Sequence, residues 1–196
     1  LSRFIIHTSK LESLDQFIPL FEDVGPLRLS VLGGGGNSNE EYLKNIKKNI
    51  EDIDNYRQKH QKKVEINVIE CKMPSNSPSK ETMERASTLL NNSGLTHYHE
   101  FTQLPYIDMN YSTEVDESSW DHEILPTVQI ISKIKNAGIK LRCGGVVKEA
   151  FPTVEQIAAM IQACVIAEVP MKFTAGLHHP IRHFAEEYDE YMHGFI

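Results

Sequence analysis

The sequence predicts an α/β fold of alternating βα units, a TIM-barrel-like (β/α)8 architecture that is incomplete within this chain. Three observations carry that expectation. Strand and helix signals alternate along the whole chain. Strand-like runs begin near residues 3, 27, 64, 97, 139 and 171, so successive starts lie 24, 37, 33, 42 and 32 residues apart, the length of one βα unit. Charged residues (Glu65, Glu100, Lys140, Arg142, Lys172) alternate with apolar ones inside the strand runs. The third observation separates two architectures. Strands of a doubly wound parallel sheet are buried on both faces and read as continuous apolar runs. A barrel interior accepts charge near the C-terminal mouth of its strands. The barrel is therefore preferred and the doubly wound parallel sheet is the alternative. Six units stand where a barrel has eight, so residues 1–196 read as a single barrel-like domain, an internal or C-terminal portion of a longer chain.

Each element has its own signal. Residues 3–7 are a short apolar run, too short for a signal peptide. Leu11, Leu14, Phe17, Ile18 and Phe21 follow with helical spacing. Leu27–Leu32 is the second strand and runs into Gly33–Gly36. Asn37, Ser38 and Asn39 are cap candidates, and Glu40 and Glu41 suit a helix N-terminus. That helix reaches about His60 and carries Leu43, Ile46, Ile50 and Ile53 on one face. In 64–71, Val64, Ile66 and Val68 alternate with Glu65, Asn67 and Ile69. Ser79–Leu90 is helical, Thr96–Thr102 the fourth strand, and 103–122 a long polar insert of the kind that forms lids or binding loops. Ile124–Ala137 is a helix stopped by Gly138, followed by strand Ile139–Gly145. Thr153 to Gln156 fits a capping box after Pro152, and the helix it opens is expected to bury Val154, Ile157, Ala158, Ile161 and Val165. Met171–Gly176 is the sixth strand and Ile181–Met192 a last helix.

Composition narrows the function classes. The net charge is −7 (20 basic against 27 acidic residues), which argues against a general nucleic-acid partner. No apolar run approaches the roughly 20 residues that cross a bilayer. Cys71, Cys143 and Cys164 lack CxxC spacing and are odd in number, so reduced thiols and a cytoplasmic location are expected.

The last third carries specific motifs. Lys140-Leu141-Arg142-Cys143-Gly144-Gly145, Ala150-Phe151-Pro152-Thr153 and Lys172-Phe173-Thr174-Ala175-Gly176-Leu177-His178-His179-Pro180 together resemble the signature of a family of uncharacterised microbial proteins, K-x-R-x-G-G … A-F-P-S/T … K-x-T-A-G-L-H-H-P. Met171 departs from it where phenylalanine is common. The resemblance covers 139–196, implies an internal portion of a longer protein, and transfers no activity.

The chemistry is read from residue type and register. The fifth and sixth strands each put apolar residues on one face and basic residues on the other. Lys140, Arg142 and Lys172 would form a basic floor for a phosphate or carboxylate. Gly144 and Gly145 would add backbone N–H groups, and Thr174 and His179 lie alongside. Internal pairing with Glu65 and Glu100 is the structural alternative, because buried charge must be paired. Lys172 is also a candidate Schiff-base nucleophile if a second cation lowers its affinity for a proton. Glu100 is the candidate general acid or base, with His178 as a second one at the mouth. His97 and His99, on the face opposite Glu100, would with His178, His179 and His183 make a divalent-metal site and a metal-dependent hydrolase. Gly33–Gly36 matches neither spaced phosphate-binding glycine pattern and reads as a flexible turn. The expected activity is thus an enzyme acting on a small anionic metabolite by proton transfer or lyase/aldolase-type chemistry. No cofactor is required, and a homo-oligomer is compatible with it. A non-catalytic ligand-binding barrel is the remaining reading.

Overall fold

The computed structural model describes residues 3–75, 77–101, 104, 120–144, 151–174, 183–186 and 189–192. Six strands form one parallel sheet: β1 (Phe4–His7), β2 (Leu27–Gly33), β3 (Val64–Lys72), β4 (Thr96–Glu100), β5 (Ala137–Arg142) and β6 (Met171–Thr174). A 3₁₀ helix (Thr8–Phe21) joins β1 to β2. Helices α1 (Asn39–His60), α2 (Lys80–Asn92), α3 (Leu125–Ser132) and α4 (Val154–Ile166) follow β2, β3, β4 and β5.

The sheet order is β1-β2-β3-β4-β5-β6, each strand beside its predecessor. Parallel neighbours joined by right-handed crossovers put every helix on the same face, and α1 packs on α2, α2 on α3, and α3 on α4. A doubly wound sheet requires a reversal of strand order where the helices change face. The described strands have none, which removes that alternative. The result is a half-barrel, with helices outside and a concave inner face.

Local sequence explains the crossovers. Ser38 caps α1 by accepting from Glu41 N–H, while the Glu41 carboxylate accepts from Asn37 N–H at 2.8 Å. Ser79 caps α2, and Thr153 with Gln156 makes the full capping box on α4. The glycine run is a packed turn rather than a loose one. A Cβ on Gly33 would stand 2.7 Å from Asn49 Nδ2, and one on Gly36 2.5 Å from the Tyr42 backbone nitrogen. The buried Asn49 amide donates to Gly34 O and accepts from Gly34 N–H, tying the turn to α1. Two apolar clusters fill the space between sheet and helices. Leu29, Val31, Ile46, Ile53 and Ile69 anchor one, and Ile131, Ile139, Met160 and Cys164 the other.

Four expectations are corrected. First, β3 does not alternate cleanly. Its register against β2 slips between Leu29 and Ser30, leaving Asn67 as an extra residue, a β-bulge. The bulge re-phases the strand, so Ile66 and Ile69 both face the helices while Val68 and Glu70 turn inward. Second, Gly138 lies inside β5 instead of ending a helix. Its place needs no side chain, because a Cβ would sit 2.7 Å from both the Tyr98 ring and the Pro170 carbonyl. Asn136, in the left-handed region at φ 58°, makes the turn. Third, α4 is rotated: Gln156, Ile157, Met160, Ala163 and Cys164 are buried, whereas Val165 is 70% and Ile166 76% exposed. Fourth, the expected last helix is an antiparallel hairpin, β7 (His183–Ala185) with β8 (Glu190–Met192). Asp189 takes φ 51° in its turn, and Phe184 stacks edge-on to Tyr191 at 5.3 Å. No helix among the described residues is long and apolar enough to cross a membrane.

Candidate functional site

Register places the inward side chains in rows. Lys72, Glu100, Lys140 and Lys172 stand side by side across β3, β4, β5 and β6, and Arg142 pairs with Thr174 one pleat nearer the mouth. Glu70, beside Tyr98, lies one pleat deeper. These positions are at the C-terminal ends of the strands, the end where barrel sites form.

Glu70, Glu100, Lys140 and Lys172, from the two lower rows, make one ionic network. Lys140 Nζ lies 2.6 Å from Glu100 Oε2 and 3.1 Å from Glu70 Oε2. The Glu70 contact is an ion pair whose angle makes it no hydrogen bond. Lys172 donates to the other Glu70 oxygen, which also accepts from Ser30 Oγ at 2.6 Å. Exposure rises outward, from Glu70 at 0% through Lys140 at 8% and Glu100 at 14% to Lys172 at 25%. Two carboxylates thus face two ammonium groups, and Lys172 is the member that solvent reaches most.

Burial acts on Glu70 first and raises its pKa. The Lys172 and Ser30 hydrogen bonds and the Lys140 charge outweigh it, so the carboxyl is held below its ordinary value. It is a carboxylate at neutral pH, and it holds the Lys172 ammonium in place.

The predicted site residues divide. Lys172, Lys140 and Glu100 come together as expected. Arg142 shares their face but is solvent-exposed, and its Nε donates to Gly144 O at 2.8 Å. Gly144 therefore offers its carbonyl inward to Arg142. Thr174 is half-buried beside Arg142, its carbonyl accepting from Cys143 N–H at 2.7 Å. Gly145, His178 and His179 lie outside the described residues. Glu65, expected to pair with the interior lysines, instead meets Arg28 at 3.2 Å near the other end of the strands. Its place is taken by Glu70.

His97 and His99 do face away from Glu100, into the helix layer. His97 Nε2 meets Ser87 Oγ at 3.1 Å, and His99 Nδ1 meets the Tyr42 hydroxyl at 3.2 Å. Both rings are fully buried, and burial pushes the His99 pKa down to about 3. Among the described residues no group of His, Cys, Asp or Glu side chains could hold a metal ion. The three cysteines are free and buried.

Sequence reasoning missed Glu70, Ser30 and Lys72. Lys72 is exposed at the β3 end of the Lys140 row. A cavity of about 240 Å³, lined among others by Thr96, Tyr98, Asn136 and Glu168, opens at the opposite end and touches none of the four ionic residues. No family model and no curated protein sequence matches the chain.

Proposed function

We propose that this half-barrel belongs to a (β/α)8 enzyme acting on a small anionic metabolite by proton transfer or lyase-type chemistry. The observation that carries the reading is the network of Glu70, Lys140, Glu100 and Lys172 at the C-terminal end of the sheet's inner face. Ionic groups in such a place cost several kcal/mol each to desolvate, and hydrophobic residues would fill the same space more cheaply.

The roles follow from depth. Arg142, one pleat nearer the mouth, and Lys72, at the β3 end of the Lys140 row, are exposed and suit the anionic group of a substrate. Lys172 faces the bound molecule from below. Glu100 moves protons, and Lys140, 2.6 Å from its carboxylate, holds it in place. Closure by two further βα units agrees with the sheet order and with apolar residues exposed at both flanks: Leu20 and Val24 beside β1, Val165 and Ile166 on α4.

A thermal-shift screen of phosphorylated and carboxylated metabolites tests the reading, run on the wild type, Arg142→Ala and Lys172→Ala. A true ligand at a hundred times its Kd stabilises the native state by about 2.7 kcal/mol. Stabilisation of the wild type that both variants lose supports the site. Equal responses from all three proteins would leave the network a structural device.

A further inference from the structure

We infer that Lys172 is an imine-forming lysine and that the site takes a carbonyl compound bearing an anionic group, such as a 2-oxo acid or a phosphorylated ketose or aldose. The inference rests on the site reading above and adds the substrate's reacting group.

Three features of the network point there. Lys172 and Lys140 share one carboxylate, each touching a different oxygen of Glu70, which sets two ammonium groups close together. One of them can hold the substrate's anionic group while the other meets its carbonyl carbon. The lysines are unequal in access: Lys140 is 8% exposed and bridges two carboxylates, whereas Lys172 is 25% exposed and touches Glu70 alone among the described carboxylates. Lys172 is therefore the lysine that a substrate can reach. Finally, the fully buried Glu70 is in hydrogen-bond contact with the Lys172 ammonium and fixes the position of its nitrogen on the inner face.

The step balances without an external reagent. Lys172 loses a proton to water, and its lone pair adds to the carbonyl carbon, forming a C–N bond. The carbonyl π electrons go to oxygen, which takes a proton. The nitrogen loses one proton, and the hydroxyl leaves as water after a second protonation. The sum is a ketone or aldehyde plus an ammonium group giving a protonated imine plus water. Glu100, in the same row and held by Lys140, is positioned to relay these protons. The positive imine then withdraws electrons from the adjacent C–H or C–C bond, which is the purpose of such an intermediate in proton transfer or lyase chemistry.

Reductive trapping tests this. The full chain is incubated with pyruvate, glyoxylate, dihydroxyacetone phosphate or glyceraldehyde 3-phosphate and then treated with sodium borohydride, which delivers hydride to an imine. Intact-mass spectrometry and peptide mapping follow. The expected result is a single stable adduct on Lys172 with at least one of these compounds. It should be absent from Lys172→Arg, which keeps a cation opposite Glu70 but cannot form the imine, with a circular dichroism spectrum matching the wild type as the check that this variant folds. Adducts spread over surface lysines, or persisting in Lys172→Arg, overturn the inference. Thermal stabilisation by the same anions with no adduct on Lys172 overturns the imine while leaving the anion site standing. Neither stabilisation nor adduct overturns both.

Discussion

Lys172 on β6 hydrogen-bonds Glu70 on β3, although two whole strands, β4 and β5, lie between them in the sheet. Neighbouring strands are about 4.8 Å apart, so in a flat sheet the two residues would be far beyond reach of each other. The contact exists because the sheet curls, and it reports the concavity of the half-barrel directly. It also closes the inner face around Lys140, whose ammonium sits between Glu70 and Glu100.

Removing one member of this network is expected to cost more than removing a matched set. Lys140→Met leaves the buried Glu70 and Glu100 with one fewer cation, and breaking a buried pair costs about 3–5 kcal/mol. Replacing Glu70, Glu100, Lys140 and Lys172 together by apolar residues of similar size is expected to recover most of that loss. Urea midpoints of the wild type, Lys140→Met and the quadruple variant decide it. A Lys140→Met protein as stable as the wild type would mean that the lysine is solvated rather than buried among carboxylates.

Much of this arrangement is legible in the sequence, and the part that is not has a physical cause. Lys140, Lys172 and Glu100 fall on one face by plain alternation, and the structure brings them together. Glu70 escapes because alternation counts residues, and the bulge at Asn67 inserts one. Counting from Val64 puts Glu70 on the helix side with Ile66, whereas the re-phased strand sends it inward to Ser30. The hairpin 183–192 escapes for a different reason. Its turn at Asp189 depends on a left-handed backbone that aspartate can adopt but does not announce.

Deleting Asn67 is accordingly expected to be tolerated. Without the extra residue the pairs Leu29–Ile66 and Ser30–Val68 become consecutive, so Ile66 and Ile69 stay on the helix side and Glu70 stays inward. Asn67→Ala keeps the bulge and loses only the side-chain contacts with Arg3 and Glu65. Cooperative thermal unfolding in both variants is the expected outcome. A deletion variant that does not unfold cooperatively would show that the added twist of the bulge, and not the pairing alone, holds the strand.

Gly138→Ala tests the crowding of β5. Its new methyl would meet the Tyr98 ring and the Pro170 carbonyl, both 2.7 Å away. Overpacking of this kind costs about 1–3 kcal/mol. The loss should be read from the urea midpoint with an unchanged m-value. Gly94→Asn, at a turn with φ 67° and open space around it, is the control and should cost little.

The buried histidines set the response to acid. Burial, then the proximity of His97, holds the His99 pKa down at about 3, against about 6.5 in an unfolded chain. The folded protein therefore keeps His99 neutral while the unfolded chain takes a proton. Stability is fully present above about pH 6.5 and falls as pH drops toward 3, with a slope up to about 1.4 kcal/mol per pH unit. His97, lowered mainly by burial, acts in the same sense. Glu70, lowered overall, extends the loss below the ordinary carboxyl range. Denaturant midpoints at pH 7, 6 and 5 should fall steadily, and His99→Gln should flatten the decline. A flat profile in the wild type would contradict the burial of both rings.

The rotation of α4 separates two ways of reading an apolar helix. By pattern alone, Val154, Ile157, Ala158, Ile161 and Val165 form the stripe that ought to be buried; Ile157 is buried, but with Met160 and Cys164, while Val154, Ile161 and Val165 are exposed. Both stripes are apolar, so periodicity cannot choose between them, and packing against β5 and α3 does. A charge placed on each stripe distinguishes them. Met160→Lys buries an unpaired ammonium where no solvent reaches, and is expected to cost several kcal/mol or abolish folding. Val165→Lys, at a position 70% exposed, should change the stability of this chain by no more than about 0.5 kcal/mol. In a chain that closes the barrel the same Val165→Lys should become costly, because the next helix would cover it. Equal tolerance of Met160→Lys and Val165→Lys in the present chain would mean that α4 presents the other stripe to the sheet.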